Sequence, residues 1–186
     1  MKSSTLSLLL LSALPLAVCA AEYKQVQADK STTGFAYKQM GVAMDGKFRK
    51  FATQLSFDPS KPASAKASID VDLSSIDTGS SEADQEVGGK QWFNTKVFPI
   101  AHFASSGVKP LGGNRYEVTG QLTIKGRTQP VSVPTTVTIQ GSNASFDGAF
   151  VIRRADFAIG EGPWADFATV ANEVSIKFHL LAAAGK

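Results

Sequence analysis

Residues 173–180 read Glu-Val-Ser-Ile-Lys-Phe-His-Leu, and this stretch decides the fold class. Apolar and polar side chains alternate without a break, which is the period-two pattern of a strand with one buried and one solvated face. The same alternation recurs along the chain, in residues 69–73, 116–124, 131–139 and 146–152. Clean alternation in successive runs predicts an antiparallel sheet with one face on a core.

Short turn signals separate these runs. Asp45-Gly46, Lys125-Gly126 and the Gly141-Ser142-Asn143 triplet are residues suited to tight turns or to positive φ. Short connections favour hairpins over βαβ crossovers. About eight strands in one domain must close or stack to hide their edges, so an all-β barrel or sandwich is expected.

One short helix is predicted in a connection. It begins near Ser80-Ser81, has acidic residues in its first turns, and ends before Gly88-Gly89. Ser81 followed by Asp84 is a variant of the capping box.

The first 21 residues have the pattern of a secretory signal peptide. Lys2 is followed by an apolar run that is too short for a permanent membrane anchor, and then by small residues at 19–21. Cleavage there gives a mature domain of residues 22–186 without a cysteine, because Cys19 is the chain's one cysteine. A second interpretation is a lipoprotein signal in which Cys19 is lipidated, although Val18 stands where such signals have Gly, Ala or Ser.

Composition and motifs argue against several function classes. Removing Lys2 lowers the 19 basic residues to 18, against 16 acidic residues, so no basic surface for nucleic acid is indicated. His102 and His179 are far apart and have no metal-ligand spacing, so neither a metal site nor a cofactor is predicted. Nucleophile-elbow, P-loop and dinucleotide motifs are absent, and no catalytic residue is assigned. Asp70 and Asp72 share a strand face that we interpret as solvated.

Aromatic side chains are numerous for a domain of this size, with twelve Phe and two Trp. They fit a well-filled core. They also fit an eight-stranded barrel whose interior holds an apolar ligand, since the interior of a barrel of that size is either filled by side chains or holds a ligand. For the second case the candidate lining residues are Phe35, Tyr37, Met40, Val42, Met44, Phe48, Trp92, Phe93, Phe103 and Trp164. Lys47, Arg49 and Lys50 are candidates for contacting a charged head group, or are an ordinary polar turn.

Six segments, in order and with matching spacing, resemble the YceI-like family of exported bacterial polyisoprenoid-binding proteins. They are residues 46–51, 74–79, 98–103, 116–126, 154–160 and 172–176. The resemblance implies an elongated, lipocalin-like antiparallel barrel with a short helix, a periplasmic location, and an interior that accepts an isoprenoid chain such as a polyprenyl phosphate or a quinone tail. It also implies a binding protein and not an enzyme.

The resemblance is incomplete at two places. Many members of the family carry a His near position 39 and an Arg-Asp-x-His-Leu segment in the helix, where this chain has Gln39-Met40-Gly41 and residues 82–87, Glu-Ala-Asp-Gln-Glu-Val. Head-group contacts of other members are therefore not transferred to it. Two alternatives stay open: a hydrolase of lipids or small apolar substrates with His102 as base, and a solid-core β-domain that binds a partner. Neither the chain length of a ligand, nor its head group, nor the oligomeric state follows from the sequence.

Overall fold

The structure is a computed structural model that describes residues 21–185. Of the predicted signal peptide, residues 1–20, with Cys19, lie outside the described residues.

The described residues fold into eleven strands and one α-helix. The α-helix, α1, is Ser81–Gly88. Five 3-10 turns cover Ala28–Lys30, Pro62–Ser64, Leu73–Ser75, Arg154–Phe157 and Gly162–Trp164. The strands are β1 Tyr23–Val26, β2 Thr32–Gln39, β3 Val42–Phe48, β4 Phe51–Ser56, β5 Lys66–Asp72, β6 Ile76–Asp77, β7 Ile100–Gly112, β8 Arg115–Ile124, β9 Arg127–Gln140, β10 Asn143–Arg153 and β11 Glu173–Ala184.

All strands belong to one curled antiparallel sheet. The order is β4-β5-β7-β8-β9-β10-β11-β2-β3-β6, and β1 pairs with the end of β11 beside β2. Two backbone hydrogen bonds join Tyr23 of β1 to Phe57, which directly follows β4, at N···O distances of 2.8 and 3.0 Å. β1 therefore connects the β4 end of the order to β11, and the sheet wraps around its own apolar face.

The strand count differs from the expected eight. The additional elements include β1, with four residues, and β6, with two residues. Runs this short carry no detectable alternation, so periodicity could not reveal them.

Strand β11 has the predicted faces. Val174, Ile176, Phe178 and Leu180 lie on the concave side of the sheet, where they line its interior. Ile176 pairs with Phe35 of β2 on one side and with Phe150 of β10 on the other. Paired residues of antiparallel strands share a face, so the alternation of one strand sets the facing of its neighbours.

One turn lies elsewhere than predicted. The hairpin between β2 and β3 turns at Met40-Gly41, whose φ values are 49° and 81°, as a two-residue hairpin turn requires. Asp45-Gly46, which we expected to be the turn, is inside β3, where Gly46 pairs with Phe35.

Helix α1 has nearly the predicted bounds, but its cap differs. Ser80 precedes the helix and accepts a hydrogen bond from the Ala83 backbone N–H at 3.4 Å. Asp84, expected to take part in a capping box with Ser81, accepts instead from the backbone N–H and the hydroxyl of Thr78. These bonds fix the helix against the chain segment that leads into it.

Candidate functional site

The concave side of the sheet encloses a cavity of about 370 Å³. Strand residues such as Phe35, Leu122 and Ile176 form its walls, and helix α1 contributes Glu82, Ala83 and Glu86. Most of the wall is aliphatic or aromatic. Cavities of this size and lining are typical of sites for apolar small molecules.

A second cavity, of about 140 Å³, adjoins the first. It lies toward Phe57 and Leu180, at the end of the sheet where β1 closes the curl. Six residues belong to the walls of both cavities: Thr33, Val71, Ala101, Leu122, Phe150 and Ile176. The two cavities are therefore neighbours along the sheet interior and form an elongated apolar space.

Glycines beside phenylalanines keep this space open. Gly46 pairs with Phe35 and Gly148 with Phe178, and in each pair a Cβ on the glycine would come within 2.4 Å of the phenyl Cζ. The rings therefore lie flat over the glycines, along the wall. A side chain at either position would push its ring away from the wall and into the cavity.

Seven of the ten residues predicted to line a binding site lie in these walls. The larger cavity is lined by Phe35, Tyr37, Phe48, Trp92, Phe93 and Trp164, and the smaller one by Phe103. Whether they contact a ligand remains a prediction.

The other three lie outside the walls. Met40 is in the β2–β3 turn and is 77% exposed, and Val42 is 61% exposed. Val42 and Met44 pair with Gln39 and Tyr37, so they are on the cavity side of the sheet. They are exposed because this hairpin tip extends past the end of the cavity, where no wall faces it.

The predicted head-group residues are also outside the walls. Lys47 and Arg49 contact the Asp77 carboxylate, with N···O distances of 3.7 and 3.0 Å. The hydrogen bond from the backbone N–H of Gly79 is the main cause that holds the pKa of Asp77 below its usual range, and the hydrogen bond from Arg49 is the second cause. Lys50 is an exposed residue whose backbone N–H donates to the Ser75 hydroxyl. The sequence correctly placed Lys47, Arg49 and Lys50 near Phe48. Strand alternation, however, directs the Phe48 side chain to the cavity and not these cations.

Arg154 is a cavity-wall residue that the sequence analysis missed. Its side chain is 2% exposed, and it donates to five backbone carbonyl oxygens at 2.7–3.1 Å. The acceptors are the carbonyl oxygens of Ile159, Gly160, Trp164, Val170 and Ala171. Burial lowers the pKa of Arg154.

The role of Arg154 is to hold the segment 159–171 over one end of the cavity. Gly160 is required beside it, because φ there is +78° and a Cβ would lie 2.1 Å from the guanidinium Nη1. Alternation could have found this residue: Phe150 and Ile152 face the cavity, and the next position with the same parity is 154.

The exposed part of the cavity wall is at helix α1. We call Glu82, Glu86, Thr78 and Trp164 the rim, since these wall residues are exposed or partly exposed. The Trp164 indole N–H donates to the Glu86 carboxylate at 2.8 Å, which joins the helix to the segment that Arg154 holds. The rim of this cavity thus carries two carboxylates.

The histidines lie on the outer face of the sheet. His102 Nδ1 is 2.6 Å from the Asp70 carboxylate, and His179 Nδ1 is 2.6 Å from that of Asp147. His102 and its strand neighbour Phe103 face opposite sides, as expected. Among the described residues, no group of three His, Cys, Asp or Glu side chains could hold a metal ion. In the same part of the chain, no helix has the length and apolarity to cross a membrane.

Comparisons with known proteins bear on this site. The model of the YceI-like domain matches residues 24–182. The chain belongs to the YceI-like family. A UPF0312 protein of Photorhabdus laumondii is 32% identical over 146 residues, which are 74% of this chain and 76% of that protein.

Solved structures show the same fold. BcnA of Burkholderia cenocepacia superposes with a TM-score of 0.84 at 45% identity, covering 86% of this chain and all of that one. A polyisoprenoid-binding domain from Saccharophagus degradans superposes with a TM-score of 0.69 at 16% identity, covering 89% of this chain and 99% of that one. The all-β, lipocalin-like fold predicted from the sequence is confirmed.

Proposed function

We propose that this protein is a periplasmic binding or carrier protein that holds the chain of an isoprenoid lipid in the sheet interior. The observation that carries the proposal is the pair of adjoining apolar cavities, about 370 and 140 Å³, with six shared wall residues. A solid core would leave no such space, because protein interiors are normally close-packed.

An elongated apolar space suits a long hydrocarbon better than a compact ligand. Burial of each CH₂ group contributes about 0.8 kcal/mol, so several isoprene units bind tightly without directed bonds. The methyl branches of an isoprenoid fit walls built of aromatic and branched aliphatic side chains. The S. degradans relative, described as a polyisoprenoid-binding domain, supports the choice of ligand class.

Tryptophan fluorescence gives a direct test. Both tryptophans of the chain, Trp92 and Trp164, lie in the wall of the larger cavity, and their ring centroids are 5.4 Å apart. Delipidated protein titrated with a short-chain isoprenoid quinone is expected to show saturable quenching at one ligand per chain. Quenching that grows linearly with quinone concentration, as free collisions produce, would contradict the proposal.

Paired variants locate the binding. Ile176→Trp places a large side chain at a position shared by both cavities and is expected to lower the amount of isoprenoid bound, measured by mass spectrometry after extraction. Val42→Trp is the matched control, since Val42 is exposed on the hairpin tip and should leave binding unchanged. If both variants lose the same amount of bound isoprenoid, or if neither loses any, the ligand binds elsewhere.

The alternative of a His102-dependent hydrolase has less support. Among the described residues, the side-chain partner of His102 is Asp70, and the pair lies on the face opposite to the cavity. We expect His102→Ala to leave isoprenoid binding and thermal stability near those of the wild type. Esterase or lipase turnover that the wild type shows and His102→Ala lacks would favour the enzyme.

Periplasmic location belongs to the proposal and depends on the sequence of residues 1–21. Intact-mass measurement of protein from its host should find an N-terminus at Ala21 or Glu22. A diacylglyceryl-modified Cys19 at the N-terminus would show instead that the protein is membrane-anchored.

A further inference from the structure

Few charged side chains reach the cavity walls. In the described part of the chain, the charged residues that line the larger cavity are Glu82, Glu86 and Arg154, and the charged residue that lines the smaller cavity is Lys66. The charges of these four groups determine which head group a ligand with an apolar chain can carry when it binds.

Arg154 has no N–H left for a ligand. A guanidinium carries five N–H donors, and the five carbonyl oxygens of the segment 159–171 account for them. A phosphate in the larger cavity could bind Arg154 only by displacing these backbone acceptors, which hold the segment over the cavity.

Two cations beside the rim residue Thr78 are also paired with a carboxylate. Lys47 and Arg49 share the carboxylate of Asp77, which directly precedes the rim residue Thr78. Lys66 is exposed, at the start of β5, and it borders the smaller cavity away from helix α1. Among the described residues of the larger cavity's wall, the rim therefore presents carboxylates without a free cation beside them.

Uncharged hydrogen-bonding groups are present in the same wall. The Tyr37 hydroxyl, the Gln39 amide and the Thr33 hydroxyl belong to residues that line the larger cavity. Burial raises the pKa of Tyr37, so its hydroxyl stays a neutral donor at physiological pH. Such groups can bind a carbonyl or hydroxyl oxygen, whereas they do not compensate the desolvation of a phosphate dianion.

We propose that the isoprenoid bound here carries an uncharged, oxygen-containing head group, as a quinone or a free prenol does, and not a phosphate. This inference rests on the proposed function and specifies its ligand. The charge of the rim acts against an anion directly: Glu82 and Glu86 repel a phosphate that remains at the opening, and the repulsion weakens as salt screens it.

The test compares head groups on one tail. Delipidated wild-type protein is titrated at low salt with a prenol, a prenyl phosphate and a prenylated benzoquinone of equal tail length. We expect the two neutral ligands to bind roughly tenfold more tightly than the phosphate, with the difference shrinking as salt is raised.

Charge variants locate the cause. Glu82→Gln/Glu86→Gln keeps an amide oxygen for the Trp164 N–H and should raise affinity for the prenyl phosphate severalfold, and more than it changes affinity for the prenol. Asp29→Asn/Glu117→Gln is the control with the same change in net charge, since neither residue lines a cavity. Equal gains in the two variants would show a general charge effect and overturn the role of the rim.

Two outcomes separate this inference from the proposed function. The inference would be overturned if prenyl phosphate binds the wild type as tightly as the prenol does, or if it binds tightly and this binding is lost in Lys66→Gln. Either result would leave isoprenoid binding intact. Binding of none of the three ligands would remove the proposed function, and the inference with it.

Discussion

Replacing Ala101 with leucine distinguishes a cavity from a filled core by the sign of the stability change. Ala101 lies on β7 opposite Val71, is 7% exposed, and belongs to the walls of both cavities. The change adds three carbon atoms. In open apolar space their burial stabilises the ligand-free protein by up to about 2 kcal/mol. In a filled core the same atoms overpack and cost about 1–3 kcal/mol.

The measurement is thermal unfolding of delipidated protein together with isoprenoid titration. For a domain of this size, 1 kcal/mol shifts Tm by about 2–4 °C. We expect Ala101→Leu to keep or raise Tm while it weakens isoprenoid binding, because the leucine occupies space that the ligand needs.

Ala144→Leu is the matched control for this prediction. Ala144 is fully buried and lines neither cavity, so the same three carbons should overpack there and lower Tm. A fall in Tm for Ala101→Leu as large as that for Ala144→Leu would refute the reasoning, since it would show that the space at Ala101 is already filled.

Three other changes have defined outcomes. Arg154→Leu should destabilise the protein by at least about 3 kcal/mol in urea unfolding, because five carbonyl oxygens lose their donor, three of them in buried hydrogen bonds. Gly148→Ala should cost about 1–3 kcal/mol, since the new Cβ would lie 2.4 Å from the Phe178 ring. The Asp77 carboxylate, which accepts from the Gly79 backbone N–H and pairs with Arg49 and Lys47, should stabilise the fold at neutral pH and lose this effect in acid. The pKa of Asp77 is lower in the folded state, so its contribution is present above the ordinary aspartate pKa and disappears as pH falls through the folded value.

Each of these has a contradicting result. Wild-type stability in Arg154→Leu would show that the segment 159–171 holds its position unaided. An unchanged Tm in Gly148→Ala would mean that the Phe178 ring has room to move. For the ion pairs the comparison is Tm against pH for the wild type and Asp77→Asn, and parallel curves below pH 4 would exclude a contribution from Asp77.

Alternation predicted the strands well but could not predict where the cavity ends. Strand β11 has the faces expected from residues 173–180, since each side chain's facing follows from the pleat alone. Val42 and Met44 are on the same face of the sheet as Tyr37, yet they are exposed. Their environment depends on whether another part of the sheet lies opposite, and that is a property of the closed fold and not of the local sequence.

The charged parts of the site were the least predictable. Arg154 stands in the Arg153-Arg154 pair, which reads as an ordinary surface cluster, and its burial depends on five carbonyl oxygens from a segment that ends seventeen residues later. Glu82 and Glu86 were predicted on the helix, but only the packing of α1 across the open side of the sheet makes them part of a cavity wall. Alternation gives the facing of Arg154, but neither its five carbonyl partners nor the position of α1 follows from a local pattern.

Native mass spectrometry of protein purified from its own host tests most directly whether an isoprenoid occupies the sheet interior. Without delipidation, we predict a complex of one chain with one lipid, whose fragmentation and extraction give a prenylated compound with an uncharged head group. A spectrum that contains the mature chain alone, with no lipid in the extract, would contradict it.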